Sequence, residues 1–213
     1  MDASPAAGPP GTGRLEAFVD AVFAIAMTLL ALGITVPGVP GVTSPSKLPE
    51  LLVGMWPQFF HYILAFIILA LFLMGHHRQF QHIVRTDKAL LWINILSLLF
   101  VCLVPFSTDL SSSYYNAEVA LWFFDANLFC IGALFTLMWI YATGESRLVR
   151  PDLPEGVYWR SLSRSMVTPV VAVCAALGVL VSPTGSRYIY LLIPLMMALG
   201  QPSCGSRPVS VCW

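Results

Sequence analysis

Two acidic side chains, Asp20 and Asp125, sit inside long apolar runs, where an acid is expensive. A carboxylate inside a membrane helix costs roughly 2.5–3.5 kcal/mol on insertion scales, less near the helix end, so each is expected to have a protein partner or to handle protons or cations. For Asp125, flanked by Trp122, Phe123, Phe124 and Asn127, a helix-packing hydrogen bond or a position near the outer interface is the favoured reading over proton or cation transport. Asn94, an amide among apolar residues, has the same status, because such amides commonly bond a neighbouring helix. It is a candidate partner for Asp20. His76, His77 and His82 with Asp87 suggest a metal cluster at first sight. Zinc needs three or four converging ligands, and membrane histidine-box oxygenases need many more than the 4 histidines present. These histidines therefore read as structural or interfacial groups, and no metal is expected. No Ser-His-Asp spacing, Gly-rich phosphate loop or pair of glutamates occurs, so neither an enzyme nor a cofactor is expected.

The elements that position these groups are membrane helices. Apolar residues make up 57% of the 213 positions and charged residues 10%, against roughly 25% charged in soluble domains. The net formal charge of zero gives no reason to expect nucleic acid as a partner. Of the cysteines, Cys102, Cys130 and Cys174 lie in apolar runs and none forms a CxxC pair, so they read as small apolar residues.

From Phe18 to Val36 only Asp20 is ionisable, a run long enough to cross a hydrocarbon core of about 30 Å as a helix. The chain holds six apolar spans in order: Leu15–Val36, Trp56–Gly75, Ala89–Pro105, Ala117–Thr143, Leu162–Val181 and Tyr188–Gly200. The polar stretch after span two, HHRQFQHIVRTDK, reads as a loop, as does Phe106–Asn116. Span six is short, and Gln201–Trp213 after it has no helical period and is assigned no role. The expected organisation is a flexible Ala/Gly/Pro-rich leader over 1–13, a six-span domain over 14–200 and an irregular tail over 201–213. With residue 1 inside, nine basic residues (Arg14, Arg78, Arg85, Lys88, Arg147, Arg150, Arg160, Arg164 and Arg207) fall inside, against Lys47 and Arg187 outside. The positive-inside rule then puts both termini in the cytoplasm.

On the first helix, Ile25, Thr28 or Leu29, and Leu32 recur at i, i+3/i+4 and i+7 and share a face, with Phe18 and Ala21 extending it one way and Thr35 the other. Periodicity alone says no more than that.

A resemblance says more. Arg14, Phe18 and Asp20 in RLEAFVD match the R-x-x-x-F-S-D signature of the lysosomal potassium channel family. The following FAIAMTLLAL, the GHHRQF after span two and LLWINILSLLFVCLVPF in span three are also similar to that family. The likeness covers roughly residues 14–110, and the size resembles its single-repeat bacterial members. It implies an all-α polytopic protein in a bacterial plasma membrane, a homotetramer in the lipid bilayer with the first helix of each subunit lining a central pore. It implies passive, selective conduction of K+ ions. It implies an apolar constriction at Ile25, further pore layers at Thr28 and Leu32 with Leu29 on the same face, and bracing of the helix by Arg14, Phe18 and Asp20 through His77 and Asn94. An apolar ring of this kind gates by dewetting, and no TVGYG-type filter is present. One departure is Val19, where the signature has Ser, so whatever that hydroxyl bonded must find another partner. The alternative is a proton- or cation-coupled secondary transporter using Asp20 or Asp125; a non-conducting scaffold is a third reading.

Overall fold

The structure, a computed structural model, describes residues 12–36, 48–114, 117–144, 148–150 and 153–199. The leader up to residue 11, most of the first loop and the tail over 201–213 lie outside the described residues, as do Lys47, Arg147 and Arg207. The described chain is helical: α1 Thr12–Leu32, α2 Leu48–Gly54, α3 Trp56–Phe80, α4 Lys88–Ser113, α5 Glu118–Thr143, α6 Glu155–Val179 and α7 Pro183–Ser186, then a 3-10 turn Arg187–Leu191 leading into α8 Leu192–Leu199. Five helices (α1, α3, α4, α5 and α6) are long and apolar enough to cross a membrane. Helices of 25 or 26 residues reach about 38 Å at 1.5 Å per residue, enough to span with tilt. The sixth expected span is a shorter apolar helical segment instead, its first part wound as a 3-10 turn.

Helix α1 starts three residues and stops four residues before its expected bounds, at Thr12 and Leu32, and three other helix ends differ by five or more. The polar GHHRQF stretch continues α3 to Phe80 rather than opening a loop. It does so because His76, Gln79 and Phe80 are buried against other helices, where His76 Nε2 meets Asn94 and the Gln79 amide N–H donates to Ser165. Helix α4 runs through Pro105 to Ser113 rather than stopping at the proline; proline is tolerated in membrane helices where neighbours satisfy the freed backbone. Helix α6 begins at Glu155, seven residues before the expected Leu162.

Local chemistry sets the other ends. Asp87 caps α4, its Oδ1 accepting the Leu90 N–H at 2.8 Å. Pro57 lies in the first turn of α3, where its missing N–H costs nothing. The Ser182 hydroxyl oxygen accepts the Gly185 N–H at 3.2 Å and starts the short α7 turn.

Helix α5 is the hub, packed between α4 and α6, while α1 packs against α3 and α4. Gly132 on α5 lets α6 come close: a methyl group there would stand 2.5 Å from Pro169 Cδ and 3.2 Å from Thr168 Cβ. Helices in lipid gain little from the hydrophobic effect between them, so close packing at small residues carries the association. Polar ties add to it. The Asn127 amide donates to Ser107 Oγ at 3.1 Å, joining α5 to α4. At one end of the bundle the α3–α4 and α5–α6 connections pair through a single antiparallel bridge, Ile83 with Val149, and the Val84 N–H donates to the Leu148 carbonyl at 2.8 Å. His82 lies beside it, edge-on to Trp139 with ring centroids 6.2 Å apart. Burial pushes its imidazole below the usual histidine range, and the Arg150 charge acts in the same direction.

Candidate functional site

Helix α1 has two faces of different fate. Leu15, Val19, Phe23, Ala26 and Leu30 are buried in the common core, a stripe at helical spacing. The other face is open. Phe18 is 53% exposed, Ile25 59%, Leu29 43% and Leu32 74%, although these are the side chains a folded chain would hide first. Ile25, Leu29 and Leu32 therefore share one uncovered face, as their spacing requires. Thr35 lies past the last helical residue, Leu32. Thr28 is the polar group on this face, and its hydroxyl donates to the Ile25 carbonyl at 2.8 Å. Donating its O–H leaves the hydroxyl oxygen's acceptor lone pairs uncommitted by that bond.

Behind this face stand the polar groups singled out in the sequence. His77 Nε2 lies 2.9 Å from Asp20 Oδ1, both side chains about half exposed, so α1 is tied to α3 by a charge contact when the imidazole is protonated. Asn94 is not the partner of Asp20. Its Nδ2 lies 3.1 Å from His76 Nε2, because His76 turns into the core and stacks on Phe80 at 4.1 Å between centroids. The adjacent histidines thus split their roles: His77 reaches α1 and His76 reaches α4. Arg14 and Phe18 are exposed, Phe18 on the same face as Ile25. Val19 is fully buried in the core, so the side chain that replaces the signature Ser packs as an ordinary core residue. Removing Asp20 as Asp20→Ala is expected to lower stability by up to about 1 kcal/mol, the range for a partly exposed pair, and to alter ion flux. Unchanged melting together with unchanged flux would remove the bracing role.

Asp125 is buried on α5 and accepts the Tyr190 hydroxyl at 2.5 Å on Oδ1. It is a packing acid that docks the terminal helical segment, with Phe124 and Tyr190 rings edge-on at 5.5 Å. No sequence signal points to Tyr190 as its partner, because 65 residues separate them. Tyr190→Phe is expected to cost about 1–3 kcal/mol by leaving a buried carboxyl short of a donor, read as a lower melting temperature with ion selectivity unchanged. His61 is likewise structural, its Nδ1 lying 2.7 Å from the Pro57 carbonyl. No group of three or more metal-ligating side chains forms among the described residues.

The architecture defines a class: a polytopic α-helical membrane protein whose first helix presents an apolar face that the other described residues leave uncovered. Residues 14–105 match the family described as endosomal/lysosomal potassium channel TMEM175. A potassium channel of Streptomyces collinus is 33% identical over 144 residues, which cover 66% of this chain and 68% of that one. A potassium channel of Chamaesiphon minutus is 37% identical over 141 residues, 65% of this chain and 69% of that one. The crystal structure of a lysosomal potassium-selective channel TMEM175 homolog from Chamaesiphon minutus superposes with a TM-score of 0.78 at 28% identity, over 90% of this chain and 98% of that one. The chain belongs to the TMEM175 family.

Proposed function

We propose that this chain is a passive, K+-selective cation channel that works as a homotetramer, with α1 of each subunit around a central pore. The observation that carries the reading is the open apolar face of α1, from Phe18 through Ile25 to Leu32, in a chain whose relatives are named potassium channels. A long uncovered apolar face is satisfied by lipid or by other copies of itself; four-fold closure sets Ile25 toward the axis. A ring of four isoleucines has no oxygen to replace an ion's hydration shell, so it closes by dewetting when narrow and conducts when wide. Thr28, one turn further on, offers a hydroxyl where the ion is rehydrated. Leu29 and Leu32 continue the wall.

Asp20 stands off this face, beside His77, and so positions α1 rather than coordinating the permeant ion. The basic residues set the orientation, with Arg78 near the end of α3, Arg85 in the connection after it and Arg160 and Arg164 in the first half of α6 at the cytoplasmic surface of the plasma membrane and the N-terminus on the same side. Transport coupled through Asp125 is set aside, because that carboxylate is committed to Tyr190 and the similar proteins are named channels. The test is K+ flux into liposomes holding the purified chain, with membrane voltage as the only driving force. Flux that persists without a proton gradient and favours K+ over Na+ supports the channel; no flux from a well-folded oligomer refutes it.

A further inference from the structure

We infer that Arg78, Arg160 and Arg164 form a binding site for the phosphate of an anionic phospholipid headgroup. The three come from two helices that touch. The Gln79 amide on α3 donates to Ser165 Oγ on α6 at 2.8 Å, and Arg78 and Arg164 are the chain neighbours of those two residues. Arg160 and Arg164 are four apart on α6 and so share a face, with Cβ atoms about 5–6 Å apart. Arg78 and Arg160 both lie close enough to add their positive fields at Arg164, which is half-buried. Three guanidiniums gathered at one helix seam make a positive field that attracts an anion.

The depth selects the anion. Arg160 and Arg164 lie about 7 and 14 Å along α6 from its start at Glu155, at 1.5 Å per residue. Trp159, 57% exposed, is the kind of side chain that settles at the headgroup level. Met166, Val170, Val173 and Leu177 then form an exposed apolar stripe on another side of α6, about 130° round the helix from the arginines, and this stripe marks the depth at which the hydrocarbon begins. The guanidiniums therefore stand at the boundary between headgroup and tail, their alkyl stems along the helix. Guanidinium forks match phosphate oxygens in pairs, and basic pockets between membrane helices bind anionic headgroups. The proposed orientation only names the leaflet, the cytoplasmic one; the binding itself does not depend on conduction.

The experiment is native mass spectrometry of the full chain in detergent, titrated with phosphatidylglycerol or phosphatidylcholine. Phosphatidylglycerol is expected to bind preferentially. The double variant Arg160→Gln/Arg164→Gln is expected to weaken it about 30-fold, the factor for two basic residues near a membrane surface, while Arg160→Lys/Arg164→Lys, which keeps the charges but not the forks, weakens it less than the glutamines do. Arg78→Gln, at an exposed position, is expected to weaken it about 5-fold and serves as the readout should the double variant fail to fold. Undiminished phosphatidylglycerol binding in the glutamine variants overturns the site. Equal binding of phosphatidylcholine overturns its charge preference, and displacement by an equal concentration of inorganic phosphate overturns the lipid assignment in favour of a soluble anion.

Discussion

Replacing Ile25 by Asn is expected to raise cation flux several-fold or to abolish its preference for K+ over Na+. The physical reason is local. Ile25 is 59% exposed on the open face of α1, one turn before Thr28, whose hydroxyl is bonded to the Ile25 carbonyl. An apolar ring excludes water when narrow, and its barrier comes from the absence of any group to hydrate an ion there. An amide supplies both a donor and an acceptor at that level, so water stays and the barrier falls for every small cation. Because Ile25 contributes nothing to the buried core, the variant should melt at nearly the wild-type temperature. The measurement is voltage-driven K+ and Na+ flux into liposomes, wild type beside Ile25→Asn. Identical flux and identical ion preference would move the constriction away from Ile25.

Gly132→Leu is expected to do the opposite, ruining the fold while touching no part of the pore. Even a single methyl group at Gly132 would sit 2.5 Å from Pro169 Cδ and 3.0 Å from Pro169 N. The proline ring and the α6 backbone cannot yield as the tip of a flexible side chain can, so α5 and α6 must separate. Overpacking of one or two methylenes commonly costs about 1–3 kcal/mol, and a leucine against backbone exceeds that range. Since α5 also carries α4, separation spreads through the bundle. The expected result is loss of a monodisperse species on size exclusion, or a melting temperature lower by well over the few degrees that about 1 kcal/mol produces in a chain of this size. Gly132→Ala should fall between. Wild-type melting for Gly132→Leu would show that the two helices are held apart enough to accept it.

The two results would separate two kinds of residue that composition treats alike. Ile25 and Val19 are both branched apolar residues on α1, six positions apart, yet Val19 is fully buried and Ile25 is among the most open side chains of the helix. The period of the apolar residues puts Ile25, Leu29 and Leu32 on one side, and the family likeness identifies that side. Nothing in the spacing says which side the rest of the chain covers, because both sides of α1 are apolar. Only the packing of α3 and α4 against Val19, Phe23 and Ala26 decides it.

The polar groups show the same division from the other direction. GHHRQF reads as a loop because polar residues usually end an apolar span. In the fold its residues divide between tertiary partners: His77 to Asp20, His76 to Asn94 and Phe80, Gln79 to Ser165. Each partner offsets part of the cost of bringing polar groups into the bundle, so the helix continues. Pro105 reads as the end of its span, and the continuation of α4 to Ser113 is not legible because proline's effect depends on what surrounds the freed backbone.

Local free energy, acting along the chain, accounts for everything the residues specify without reference to one another at a distance. It selects helices rather than strands, spans long enough to cross a bilayer, one basic end and one neutral end, and an apolar stripe at 3.6-residue spacing. Hydrocarbon length, backbone satisfaction and charge are enough for all of these. Packing between helices settled the remainder. It chose which stripe of α1 is left open, wound the start of the short last apolar run as a 3-10 turn, and gave Asp125 to Tyr190 and Asp20 to His77. The two polar pairings join residues about 57 and 65 positions apart, and a hydrogen bond between such residues is set by how helices pack, which no local pattern encodes.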